Sequence, residues 1–354
     1  MEGHVQLKAV SPDNERDLRD ICSLYSATYG DCFPVKSVYQ LEFWRNHIGR
    51  RFTSIAAFQG DLMLAHLVLS PDPHDSRHVQ VCYPVCSLSV DFDRVRDSYR
   101  SLLAGLTRTR GWSLASLSIF TKVPGMEDFS GVLPAGCPTA ILPCYPAAED
   151  CSPVTDLLFA CDRGPAEASA RHVAIAISPL GPSSRRAGTV YLPSSHARMA
   201  ALILNQFALV CAAQDESDCA QEIVKEAVNS EALREFYPFS GVCHQFVRPS
   251  AVASVSGLLR EISAPIVRVP YLYVDARDPH CPAFCDALEQ EGFAFCGMVP
   301  ALRGTDHAVY CRCADAQALE PAVFELPQAR LLCEYIKATG AEQITPAGEE
   351  RLLA

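Results

Sequence analysis

The stretch VQVCYPVCSLSVDFDRVRDSYRSLLAGLTRTRGWSLASLSIFT, running from Val79 to Thr121, decides the fold. Its opening, Val79 to Val90, is apolar and rich in β-branched residues, which predicts a strand. From Asp93 to Arg110 the apolar residues return at helical spacing, with Val95, Tyr99, Leu102, Leu103 and Leu106 on one face and Gly111 as the stop. Leu114 to Thr121 predicts a second, buried strand. Strand, crossover helix and strand in this order make a right-handed parallel unit, with the helix start facing the carboxyl end of the first strand. Open α/β sheets bind their ligands there. The expected class is α/β with a mixed α+β sheet.

Upstream, Asp13 to Gly30 predicts a helix, with Leu18, Ile21, Cys22 and Tyr25 at helical spacing, and Val38 to Ile48 predicts a shorter one. An aromatic loop lies between them. Ser54 to Phe58 and Leu62 to Leu69, parted by Gln59-Gly60-Asp61, form a hairpin signal. Downstream, residues 125–150 are rich in Gly, Pro and Cys, and two strand-like runs follow, Thr155 to Cys161 and His172 to Ser178. The loop Pro179 to Gly188 marks the expected boundary.

The second half opens on the amphipathic pattern Met199, Leu202, Ile203, Phe207 and Val210, with a shorter helix from Ser254 to Ile262. Strands are expected at Val267 to Val274, Phe293 to Val299 and Ala308 to Cys313, with a helix from Cys281 to Glu291 between the first two. Pro327 to Thr339, with Pro at its start and Gly340 at its end, predicts the closing helix. The expected organisation is an amino-terminal domain over 1–150, a strand-containing linker over 151–188, a carboxy-terminal domain over 189–340 and a tail over 341–354.

Composition narrows the function. Of the 354 residues 49% are hydrophobic and 20% charged, enough to bury a core and too apolar for a disordered chain. The net charge of −11 gives no field that would attract nucleic acid or an anionic membrane. The most apolar stretch, Met199 to Ala213, is too short to span a bilayer. The amino terminus lacks the basic start and apolar run of a secretory signal, so a cytoplasmic protein is expected. Most of the 17 cysteines are then expected as reduced thiols. None is spaced Cys-x-x-Cys. His280, Cys281 and Cys285 form the sharpest metal candidate, but cysteines packed as small apolar residues before a helix are the expected reading, and no metal is predicted.

Several dispersed strings are similar to the GNAT superfamily of acyl-CoA-dependent N-acyltransferases, in a bacterial form with two units in tandem. Tyr29-Gly30 with Phe33-Pro34 and Tyr39 resembles the aromatic loop after that group's first helix, and Ser54-Ile55-Ala56-Ala57 with Gly60 resembles its first hairpin. Leu88-Ser89-Val90 followed by Arg94 stands where the cofactor strand meets the phosphate loop. Tyr191-Leu192-Pro193 with His196, and Glu291-Gly292-Phe293-Ala294-Phe295-Cys296-Gly297 ending at Pro300, resemble a second unit.

The resemblance implies a thioester carrier, acetyl-CoA or another acyl-CoA, whose pantetheine arm pairs with the fourth strand where it splays from its neighbour. It implies a small amine or amino-acid-like acceptor. The pyrophosphate would sit on exposed main-chain N–H groups at a helix start. The residues in the corresponding window are Leu88, Ser89, Val90, Arg94, Val95, Arg96, Asp97, Ser98 and Tyr99. Here this chain departs from the family pattern, since Asp97 and Tyr99 stand where two glycines are expected. Tyr83 and Glu127 are the catalytic candidates, with Asp128 beside the latter, because amine attack on a thioester needs a base and an acid. Tyr29, Phe33, His66 and Cys86 are the substrate-side candidates, aromatics beside a cleft commonly shaping a pocket. The alternative is a catalytically inactive GNAT-like protein that binds a ligand or a protein partner.

Overall fold

A computed structural model describes residues 4–30, 33, 35–72, 75–120, 123, 125–134, 138–145, 171–180, 189–207, 210–214, 234–237, 242–252, 254–262, 267, 269–312, 319, 324 and 326–341. They form a mixed α/β fold divided into two compact units. Within the described residues one unit is drawn from 4–134 and 176–180, the other from 138–145, 171–175 and 189–341. Among the described residues no helix is long and apolar enough to cross a membrane.

The first unit runs β1 (Gln6–Ala9), α1 (Glu15–Tyr29), α2 (Leu41–His47), β2 (Thr53–Gln59), β3 (Leu62–Pro71), β4 (His78–Cys86), α3 (Phe92–Arg110) and β5 (Leu114–Phe120). Its strands lie in the order β1-β2-β3-β4-β5. Asn14 caps α1 by accepting from the Asp17 N–H at 3.3 Å, and Gly30 ends it at φ 53°, which a side chain would resist. The helix buries Leu18, Ile21, Leu24, Tyr25, Thr28 and Tyr29, the face its spacing predicts. Gly60 turns the β2–β3 hairpin at φ 62°.

The pair β4 and β5 is parallel, with α3 as the crossover, as the opening stretch predicts. Asp91 caps α3 by accepting from the Asp93 N–H at 3.1 Å, and Gly111 stops it in the left-handed conformation. The expected strand to Val90 is shorter: β4 ends at Cys86. Ser87 and Ser89 share a hydroxyl contact at 2.9 Å, and the Val90 N–H donates to Ser87 O at 3.1 Å. That local turn competes with the ladder and turns the chain into the cap.

The Gly-, Pro- and Cys-rich stretch 125–150 includes a strand, β6 (Pro138–Tyr145), which belongs with the second unit. Next comes β7 (Arg171–Pro179), divided between the units after Ile175. Thr155 to Cys161 lies outside the described residues.

The second unit continues with β8 (Thr189–Pro193), α4 (Ala197–Leu204), β9 (Val210–Gln214), β10 (Arg234–Tyr237), β11 (Val242–Val247), α5 (Val255–Ile262), β12 (Val269–Asp275), α6 (Cys281–Gln290), β13 (Phe293–Val299), β14 (His307–Arg312) and α7 (Pro327–Ala341). Its main strands lie in the order β6-β13-β14-β12-β11-β10, with β8 and β9 paired separately. Two parallel pairs lie in this half, β8 with β9 across α4 and β11 with β12 across α5, and sequence reading missed β11. β12 and β13, which the sequence places in succession around a helix, are separated in the sheet by β14.

Candidate active site

Parallel pairing of β4 and β5 runs from His78↔Leu114 to Val81↔Leu117 and stops, although β4 continues to Cys86 and β5 to Phe120. The divergence has a cause on the other side of β4. There the register against β3 shifts, from Val68↔Cys82 to His66↔Val85, so Tyr83 and Pro84 together oppose Leu67. This is a β-bulge, and bulges bend a strand away from its ladder. Pro84 has no N–H to give, and Tyr83 sits at φ 49°, an uncommon conformation for an aromatic residue.

Between the two strands lies a cavity of about 20 Å³, room for little more than one water. Val81, Tyr83, Ser118 and Phe120 contribute from the strands, Phe33 and Val35 from the segment after α1, and Met126 from the chain after β5.

The carbonyls of the bulge are already engaged. Tyr25 Oη donates to Tyr83 O, Tyr29 Oη to Pro84 O at 3.0 Å and Thr28 Oγ1 to Cys86 O at 3.2 Å. These three donors fall on one face of the last turns of α1, the spacing that brings helical side chains together. The Tyr29 side chain is 4% exposed and burial raises its phenol far above the ordinary value, so it acts as a donor. Its ring stacks on Phe33 at 5.2 Å.

The other expected site residues separate into distinct surroundings. Tyr83 turns its ring into an aromatic cluster, 5.6 Å from Phe43, 5.9 Å from Trp44 and 6.1 Å from Phe52. His66 is fully buried on β3. Its Nε2 meets Ser54 Oγ at 2.8 Å, Nδ1 has no hydrogen-bond partner, and burial pushes its pKa down to about 3. It is a neutral core histidine beside the Trp44 ring, 5.0 Å away. Cys86 stands half-buried at the end of β4, and burial together with the charge of Asp128 pushes its thiol up to about 11. Such a thiol is a poor nucleophile. Glu127 is 7% exposed in the 3-10 segment Glu127–Val132, whereas Asp128 is exposed.

The window expected to bind phosphate is helical from Arg94 to Tyr99. Val95 and Tyr99 face the core, and the Tyr99 phenol donates to Ile55 O at 3.3 Å. Arg94 and Asp97 face solvent and Ser98 is half-buried. Arg96 pairs with Asp93 and with Asp97, the latter at 3.5 Å, while Arg100 Nε donates to Gly131 O. Leu88 is 69% exposed in the turn before the cap, with Ser89 beside it and Val90 half-buried. In the Ser87–Asp91 turn ahead of that window the Ser87, Ser89 and Val90 N–H groups already donate, to Leu64 O, Ser87 Oγ and Ser87 O.

No comparable opening interrupts the parallel pairs of the second unit, where β8 and β9 stay in register from Thr189↔Val210 to Pro193↔Gln214 and β11 and β12 from Val242↔Val269 to Val247↔Val274. The Asp278 carboxylate, buried beyond the end of β12, accepts from the Ser250 N–H at 2.8 Å and the His280 N–H at 2.9 Å, with His280 Nδ1 at 3.0 Å and Arg248 Nε at 3.8 Å. An internal carboxylate thus fills the cradle that an anion would need. Cys281 and Cys285 lie with their sulfurs 3.6 Å apart, and no group of three or more metal-ligating side chains is assembled among the described residues.

Burial alone would hinder ionisation of Asp278, but the hydrogen bonds from Ser250 and His280 outweigh it and hold its pKa below the ordinary 3.8. Its stabilising contribution is present above that value and is lost as pH falls through the lower, folded value. Asp278→Asn is expected to cost about 2 kcal/mol at pH 7, with the gap to the unsubstituted protein closing in strong acid. Urea unfolding at both pH values reads this.

Thr28, Ser118 and Met126 were not singled out from the sequence, and Tyr25 was read only as part of the apolar face of its helix. The legible signals were Pro84 in the middle of an expected strand, which marks a bulge, and the hydroxyls at positions 25, 28 and 29 of one helix face.

No protein-family model matches the chain, and no curated protein matches it. Solved structures similar to part of it include a protein of Desulfovibrio desulfuricans assigned to the GNAT family of acetyltransferases, at 11% identity and a TM-score of 0.37, covering 50% of this chain and 99% of that one. The aminoglycoside 6'-N-acetyltransferase of Enterococcus faecium aligns at 11% identity and a TM-score of 0.34, over 50% of this chain and 98% of its own.

Proposed function

We propose that this chain is an acyl-CoA-dependent N-acyltransferase of GNAT type, built as two GNAT-like units in tandem, with the active site in the first and a small amine or amino-acid-like acceptor. One observation carries the reading: the parallel strands β4 and β5 part after Val81 and Leu117, beside a bulge at Tyr83 and Pro84, and leave a cleft at the carboxyl end of β4. Parted strands of this kind suit the narrow pantetheine arm of a thioester carrier, with its acyl end toward the cavity of about 20 Å³. The helix start at Asp91 lies at the same end of β4, but the Asp91 carboxylate already accepts from the Asp93 N–H there, so the phosphates would rely on the arginines of α3, Arg94, Arg96 and Arg100.

In the reaction the amine nitrogen attacks the thioester carbonyl carbon. A C–N bond forms, the C–S bond breaks with its electron pair on sulfur, and one proton passes from nitrogen to sulfur. Asp128, exposed and close enough to Cys86 to raise its thiol, is the better placed of the two acids to relay that proton. Glu127 and Tyr83 are engaged in the interior. Cys86, kept as a thiol at the end of β4, forms no acyl intermediate.

A second reading is favoured by the three α1 donors seated on the bulge carbonyls: a silent protein of the same fold that binds a ligand or partner. Calorimetric titration with acetyl-CoA, followed by mass spectrometry of acetylated amines, separates the two. Binding with product formation, lowered at least tenfold by Asp128→Asn, supports the enzyme. Binding without product supports the silent reading, and no binding of acetyl-CoA or longer acyl-CoAs overturns both as acyl-CoA proteins.

A further inference from the structure

The walls of the cavity between β4 and β5 differ in how readily they can move. Val81 and Phe120 belong to strands, are 2% and 5% exposed, and are held by the sheet. Phe33 is 1% exposed and wedged against Tyr29 and Tyr25, each 5.2 Å away between ring centroids. Met126, 1% exposed, comes from outside the sheet, at the start of the Glu127–Val132 segment. Its local ties are the bonds from the Met126 N–H to Val123 O at 3.2 Å and from the Phe129 N–H to Met126 O at 3.3 Å. Methionine is unbranched and adapts its shape easily, so it is the wall that can yield. Phe33, Val35, Val81, Phe120 and Met126 give the lining its apolar part, the Ser118 hydroxyl, the Cys82 thiol and Tyr83 standing beside them, and no charged side chain is among the lining residues, which suits a short hydrocarbon chain better than a charged one.

We propose that this cavity is the chamber for the acyl group and that Met126 determines specificity by limiting the chamber to a short acyl chain. The inference rests on the N-acyltransferase reading above and narrows it. With about 20 Å³ of space at rest, an acetyl group is admitted by rotation of the methionine side chain, and each further methylene has to displace a wall. The chamber touches only the acyl portion. Affinity for unacylated CoA is therefore independent of residue 126.

The test is calorimetric titration of the full chain and of Met126→Ala with CoA, acetyl-CoA and butanoyl-CoA, with Met126→Val as a milder variant if the alanine protein is unstable. Butanoyl-CoA is expected to gain roughly tenfold over acetyl-CoA in Met126→Ala relative to the unsubstituted protein, for the two extra methylenes that the opened chamber buries. Met126→Val is expected to fall between, and CoA itself to bind all three equally. Unchanged preference between the two acyl-CoAs in a folded variant, or an equal change for CoA and both acyl-CoAs, overturns the chamber while leaving the transferase reading intact. Failure of the unsubstituted protein and both variants to bind any of the three ligands overturns the transferase reading and the chamber with it.

Discussion

Gly297→Ala should cost the second unit roughly 4 kcal/mol, a loss at the upper end for a single substitution. Gly297 lies on β13 where that strand meets β6 at Ala140, and it takes φ 113°, a conformation that side chains resist. A Cβ there would stand 2.4 Å from Thr139 O and 2.7 Å from the Ala140 Cα. Both are backbone atoms of a strand, so no side chain can rotate out of the way. The strands would have to separate, and the Thr139 hydroxyl contact to Ile175 O, at 3.2 Å, would be strained with them. Gly292→Ala is the control, because Gly292 shares a positive φ of 82° but has nothing within 4 Å of the added carbon. It should cost only about 1 kcal/mol of conformational strain. Urea midpoints of the two variants read the difference, and equal losses would show that packing against β6 contributes nothing.

Acid should destabilise both units well before their carboxylates titrate. His66 in the first and His244 in the second are fully buried, and burial pushes each from the ordinary 6.5 down to about 3. The unfolded chain therefore binds protons below pH 6.5 that the folded chain refuses. Stability is complete above about 6.5 and falls as pH drops through the window between the unfolded and folded values, at about 1.4 kcal/mol per unit for each histidine. By pH 4.5 the loss should reach roughly 2–3 kcal/mol per histidine. The Trp44 ring, 5.0 Å from His66, reports on the first unit. His66→Gln, which retains a partner for Ser54, should flatten the dependence there between pH 6.5 and 4.5. An identical slope in that variant would assign the acid sensitivity to other groups.

The crossover unit that organises the first half was legible because each part has a local signature. Apolar residues recur at helical spacing from Val95 to Leu106, Gly111 can adopt the left-handed stop, and Gly60 can turn a hairpin. The end of β4 was misread by four residues because Ser87 to Val90 is apolar enough for a strand. What ends it is hydroxyl chemistry between Ser87 and Ser89 and the demand of Asp91 to cap α3. β11 escaped notice because it is short and lies among residues without clear alternation.

The candidate site was less legible, and the reason is distance along the chain. Tyr25 donates to a carbonyl 58 residues away, a pairing that no local pattern encodes. Tyr29 and Phe33 were recognisable as aromatics near a cleft, but nothing local distinguishes a ring that lines a cavity from one that holds a bulge. Glu127 and Asp128 are adjacent in sequence and opposite in exposure, because a 3-10 segment turns one inward and the other out.

Helix limits, the hairpin turn and the parallel crossover follow from backbone preference and apolar spacing within a few residues, so they can be read from the chain alone. The place where β4 leaves β5, the neutral state of His66 and the cradle closed by Asp278 depend on groups brought together from remote positions. Burial, bulge geometry and hydrogen-bond satisfaction are properties of the packed molecule, and they decide whether the cleft is a site.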